Sequence, residues 1–200
     1  MKLVIVLLLP LSIFVVGSKA SFGGVADTAH NLSATNARGE ICLPCHVPHG
    51  GNASVGFLWN HGYRPDSAFQ KYDGASLTIG SLACLGCHDG QTSVDDYFGG
   101  TAGSSGPLAG KFAFGTDLTN DHPVGVPYPT GNAKYAVKGT VNGSDPAITA
   151  GAGQYLPLFP HNGRDQIECS TCHSAHSTTE SFLRFPNTAS ALCTACHVAW

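Results

Sequence analysis

All eight cysteines of this 200-residue chain fall into one repeated spacing. Cys42, Cys45 and His46 open the series. Cys84, Cys87 and His88 repeat it, then Cys169, Cys172 and His173, then Cys193, Cys196 and His197. Each is C-x-x-C-H. Two thiols at this spacing form thioether bonds to the two vinyl groups of one porphyrin, and the histidine that follows sits beneath the iron. A lone C-x-x-C also serves as a disulfide or as half of a zinc site, and many cysteines in an exported chain first point to a disulfide framework. Neither explains a histidine directly after every second cysteine, four times, with no cysteine left over. The pattern predicts four covalently bound haem c groups, each with its own proximal imidazole.

Each iron then has a second axial position, and its occupant sets the chemistry. A methionine there raises the potential, but the only methionine is Met1. Six histidines lie outside the motifs: His30, His49, His61, His122, His161 and His176. Four irons need four further ligands, so bis-histidine, low-spin, low-potential haems are the simplest assignment. His49 and His176 each follow a proximal histidine by three positions. Residues three apart on a helical turn lie side by side, so such a pair cannot grip one flat haem from opposite faces. If both members are ligands, they serve two irons, which brings neighbouring haems close. A bis-histidine iron has no open position for substrate, and no motif departs from C-x-x-C-H. The chain therefore reads as an electron carrier and not as an enzyme.

The elements that hold these motifs must be unusual. The chain has 25 Gly and 12 Pro and only 12% charged residues, a poor composition for a helical bundle. Residues 3–16 are almost wholly apolar, with Lys2 before them and Ser18, Lys19 and Ala20 after, the pattern of a secretory signal peptide. Residues 1–20 are thus expected to be cleaved, leaving one tetrahaem domain at 21–200 with no membrane span. Loss of Lys2 and Lys19 takes the ten basic residues to eight against 13 acidic ones. No basic patch is present, which argues against a nucleic-acid partner. A chain of this length has a radius of gyration of roughly 16 Å, so four porphyrins must nearly touch, and their faces supply much of the core. The expected fold is mostly irregular coil wrapped round four stacked haems, with a few short strands. Short helices lead into motifs two and four, at 82–88 and 190–197, with Thr188 or Ser190 capping the latter. Motifs two and three start 85 residues apart, and the stretch between them contains a Gly/Ser/Pro-rich run at 99–107 and a β-prone region at 124–148. Beyond these, Asn162-Gly163 is a plausible hairpin turn.

Several blocks now carry a resemblance. His30 to Ser33, residues 42–50 (CLPCHVPHG), 58–61 (LWNH), 81–90 (SLACLGCHDG), 120–125 (NDHPVG), 167–176 and 182–197 run in the order found in extracellular tetrahaem c-type cytochromes. The chain resembles those that polymerise into conductive filaments, the cytochrome nanowires of the outer-membrane cytochrome E type. The resemblance implies bis-histidine haems in one continuous chain, and a distal histidine lent by one subunit to the next. It carries the distal role to His122, His61 and His49, then to His30 and His176, five candidates for four places. His161 falls outside the matching blocks. His49, beside the first proximal ligand, is the candidate for donation in trans. The expected partners are further copies of the chain and other redox proteins or extracellular electron acceptors. The expected location is the cell surface, with the periplasm as alternative. A monomeric electron shuttle remains the rival reading, and a multihaem reductase a more distant one.

Overall fold

A computed structural model describes residues 24–100 and 103–199; the signal peptide expected at 1–20 lies outside them. Irregular chain dominates. Three α-helices, α1 (Ile79–His88), α2 (Cys169–Cys172) and α3 (Ala191–Cys196), each carry or touch a cysteine motif. Six short strands form two antiparallel sheets. β1 (Val126–Pro127), β6 (Arg164–Ile167) and β5 (Phe159–His161) make one, in the order β1-β6-β5, and β2 (Gly139–Val141), β3 (Asp145–Gly151) and β4 (Gln154–Pro157) make the other in chain order. Among the described residues no helix is long and apolar enough to cross a membrane.

α1 forms because Ile79, Leu82, Ala83 and Leu85 give one side of the segment an apolar face. Leu82 and Leu85 bury against Phe69, Leu77 and Leu118. Burial of a leucine side chain contributes about 2 kcal/mol, which a ten-residue helix needs because so short a helix is marginal alone. A second apolar cluster joins Ile148 of β3, Leu156 of β4, Leu158, Tyr128, Phe185 and Leu192 of α3. Cys172 and Cys196 pack at its edge, so this cluster supports motifs three and four while the first supports motif two.

The Asn162-Gly163 turn is a hairpin as expected. It joins β5 to β6, with His161 paired to Arg164. Both turn residues have positive φ, 50° and 74°, the two-residue loop whose twist suits antiparallel strands and for which glycine is the ready second residue. The expected caps on α3 are not made. Ser190 itself is left-handed at φ 61° with no side-chain cap bond. Asn187 does the work instead, its Oδ1 accepting the Leu192 N–H at 2.9 Å.

A buried polar junction fixes motif two against motif three. The Glu168 carboxylate, 2% exposed, accepts from the Ser81 hydroxyl, from Gln166 Nε2 at 2.9 Å and from the Thr78 N–H at 3.3 Å. The Cys169 N–H donates back to Ser81 Oγ at 3.1 Å. A buried carboxylate is tolerated only when donors satisfy it, and these donors come from α1, the residue before it and β6. The Cys84 and Cys169 thiols consequently lie within hydrogen-bonding reach of each other.

Candidate haem sites

Each motif closes as one helical turn. The His46 N–H donates to the Cys42 carbonyl at 2.8 Å, His173 to Cys169 at 3.1 Å and His197 to Cys193 at 3.0 Å, while motif two ends α1. Positions i, i+3 and i+4 share a helix face, so two thiols and an imidazole point the same way. All eight thiols are unpaired. Burial pushes the Cys87 thiol up to about 12 and the Cys172 and Cys196 thiols up to about 11.

Three sites then repeat one backbone module. At site one the Val47 N–H donates to the Leu58 carbonyl (2.9 Å) and the Asn60 N–H to the Cys45 carbonyl (2.8 Å). At site three Ser174 donates to Phe182 (2.8 Å) and Arg184 to Cys172 (2.9 Å). At site four Val198 donates to Lys134 (3.0 Å) and Ala136 to Cys196 (2.8 Å). Each module thus lays the histidine beside one extended residue: Trp59, Leu183 and Tyr135.

The module has a chemical consequence. His46 Nδ1 lies 2.7 Å from the Phe57 carbonyl, His173 Nδ1 2.8 Å from Ser181 and His88 Nδ1 2.8 Å from Phe112. A carbonyl only accepts, so Nδ1 carries the proton. Nε2 then keeps its lone pair for a metal, the usual arrangement of a ligating histidine. The acceptor carbonyls at sites one and three belong to left-handed pairs, Phe57 with Leu58 and Ser181 with Phe182, at φ 50–58°. Such residues are strained by about 1–3 kcal/mol each, a cost the aimed carbonyl repays in ligand orientation.

The remaining histidines sort by position. The His30 ring centre lies 6.2 Å from that of His88, His176 6.3 Å from His46, and His122 6.4 Å from His197. With metal–nitrogen bonds of about 2 Å on each side and about 1 Å from nitrogen to ring centre, two imidazoles gripping one iron have centres roughly 6 Å apart. Burial, then the adjacent His88, hold His30 below its ordinary value, against the opposing pull of the Ala175 backbone. His173 is exposed and no second histidine ring stands opposite it among the described residues. His49 is exposed. His61 is 1% exposed, its Nδ1 2.8 Å from the Gly62 carbonyl and its Nε2 3.4 Å from Cys87 Sγ. His161, on β5, meets Ser76 Oγ at 3.2 Å.

Apolar side chains left exposed gather at these same places. Phe57 (88% exposed) and Leu58 flank His46, Phe112 and Phe114 flank His88, Val198 follows His197, and Val137 (92%) follows Ala136, whose N–H donates to the Cys196 carbonyl. Apolar surface in such patches calls for a covering group, and a porphyrin is flat, apolar and of that size. Donor set, tautomer, ring spacing and exposed apolar rim all fit haem c.

One small residue is needed for the second site to form. A Cβ on Gly86 would lie 2.4 Å from the Gly62 carbonyl and 3.2 Å from His61 Nδ1. Gly86→Ala gains helix propensity of about 1 kcal/mol but forces backbone apart, an overpacking cost of about 1–3 kcal/mol. The variant is expected to melt at lower temperature and to incorporate less haem per chain, both measurable on purified protein. A variant as stable and as haem-loaded as the parent would remove this contact from the account.

The family profile described as doubled CXXCH motif matches residues 161–199, which span motifs three and four. A search of curated proteins finds no match. Doubled motifs are typical of multihaem c-type cytochromes. Two further turns of the same kind lie at 42–46 and 84–88, so the four attachment sites together fit four covalently bound haem c groups.

Proposed function

We propose that the chain carries electrons outside the cell as a bis-histidine tetrahaem cytochrome, and that copies join head to tail into filaments through His49. Haem c held between two imidazoles takes up and releases one electron without bond exchange at iron. The protein's part is to orient imidazoles, exclude other ligands and hold the four sites close.

The reading assigns His176 to the iron above His46, His30 to that above His88 and His122 to that above His197. One observation carries the rest: His173 has an oriented Nε2 and no facing imidazole among the described residues, while His49 is exposed and unassigned. Sites one and three are built alike, and each has a histidine three positions after its proximal ligand. The histidine of module three already meets the proximal ligand of module one, at 6.3 Å. The mirror of that contact, His49 of one copy reaching the His173 iron of another, repeats along a chain of copies. Contacts of this heterologous kind propagate as filaments when the rotation does not close. His61 and His161 are also unassigned, but His61 is buried and His161 meets Ser76 Oγ, whereas His49 is exposed.

Electron microscopy of material sheared from the cell surface tests the assembly. Long, thin, haem-staining fibres are expected. Dispersed particles alone, with all four haems low-spin in the monomer, would favour the shuttle and return His173 to an internal partner such as His61. Rapid carbon monoxide or cyanide binding by intact fibres would reveal an open iron and revive the reductase reading.

A further inference from the structure

We propose that Phe182 is a positioning residue that locks the plane and attachment of His30 at the second haem site, and so ties that site to the third. The proposal rests on the assignment of His30 as the outer ligand above His88. The His30 and Phe182 rings stack with centres 4.1 Å apart and planes 13° from parallel, closer than any other ring pair described in the chain. The stack fixes the plane in which the imidazole lies.

Phe182 is itself held firmly. It is left-handed at φ 58°, its N–H donates to the Thr179 carbonyl at 2.9 Å, and its carbonyl accepts from Ser174 at 2.8 Å. The preceding carbonyl, that of Ser181, orients His173 at 2.8 Å. One dipeptide therefore sets the inner ligand of the third site through its backbone and the outer ligand of the second through its side chain. Strain kept in a bulky non-glycine residue points to a task for that residue. Here the left-handed turn is what brings the phenyl ring onto His30. The equivalent position at site one, Leu58, has no flat face.

Phe182→Leu keeps apolar volume but removes the stack. The expected result is a retained four-haem protein in which one low-spin signal of the four changes its electron paramagnetic resonance anisotropy. Carbon monoxide, which binds only once His30 leaves, should reach one reduced haem per chain on the order of five times faster, the effect of losing one aromatic contact. Phe182→Tyr should restore both readouts. Should Phe182→Leu fail to accumulate with four haems, Phe182→Met, which fills the space without a flat ring, is read the same way. His30→Ala separates the two ideas. If it opens one haem while Phe182→Leu and Phe182→Met leave spectrum and rate unchanged, the clamp is wrong and the pairing stands. If His30→Ala leaves all four haems low-spin, the pairing itself fails.

Discussion

Replacing His49 with alanine should leave all four haems attached and abolish fibres. The side chain is exposed and three positions beyond a proximal ligand, so its loss disturbs neither the Cys42–His46 turn nor the bonds from Val47 and Asn60 that close the first module. On the proposed reading, what it removes is the imidazole that completes the His173 iron of a neighbouring copy. The variant should be isolated as single chains with one haem in four reactive toward carbon monoxide. His176→Ala makes the contrast. It faces His46 within the chain, so it should open one haem while fibres still form. Negative-stain microscopy and haem absorbance with and without carbon monoxide read both variants. Normal fibres from His49→Ala would remove His49 from the junction.

The attachment sites were legible because covalent chemistry leaves a rigid signature: two thiols and an imidazole have few workable spacings. The hairpin at Asn162-Gly163 was legible for the same reason, since few residues accept two positive φ values in succession. The ligand-orienting contacts were not. Phe57, Phe112 and Ser181 act through carbonyls that every residue possesses, at separations of 11, 24 and 8 residues. At site four the module's partner, residues 134–136, precedes the motif, whereas at sites one and three it follows. Hydrogen bonding between backbone segments has no side-chain code, so no periodicity marks it. The surplus of candidate distal histidines also had no resolution in sequence. His30 and His88 stand 58 positions apart, and only the fold brings their rings to 6.2 Å. The cap of α3 shows a local failure of the same sort. Ser190 has the right side chain, but its left-handed backbone aims that side chain away, and Asn187 takes its place.

Produced where haem cannot be attached, the polypeptide should not melt cooperatively. Its two apolar clusters hold six and five buried residues, few for a chain of this length, and each residue ordered costs about 1–2 kcal/mol of backbone entropy. The most exposed apolar side chains, Phe57 and Val137, lie on the segments that pair with motifs one and four, and without a porphyrin face against them they contribute nothing to offset that cost. The hydrogen bonds from Nδ1 of His46, His88 and His173 are made to carbonyls in loops, where water competes equally well, so they do not order the modules alone. Far-UV circular dichroism of the haem-free chain should show little regular structure and a gradual thermal change. The loaded protein should unfold in one steep transition. Serine in place of both cysteines of motif three should lie between them, with three haems and weakened packing of α2 on β4. A sharp, native-like transition in the haem-free chain would mean that side chains alone build this fold, and that the exposed apolar rims need another explanation.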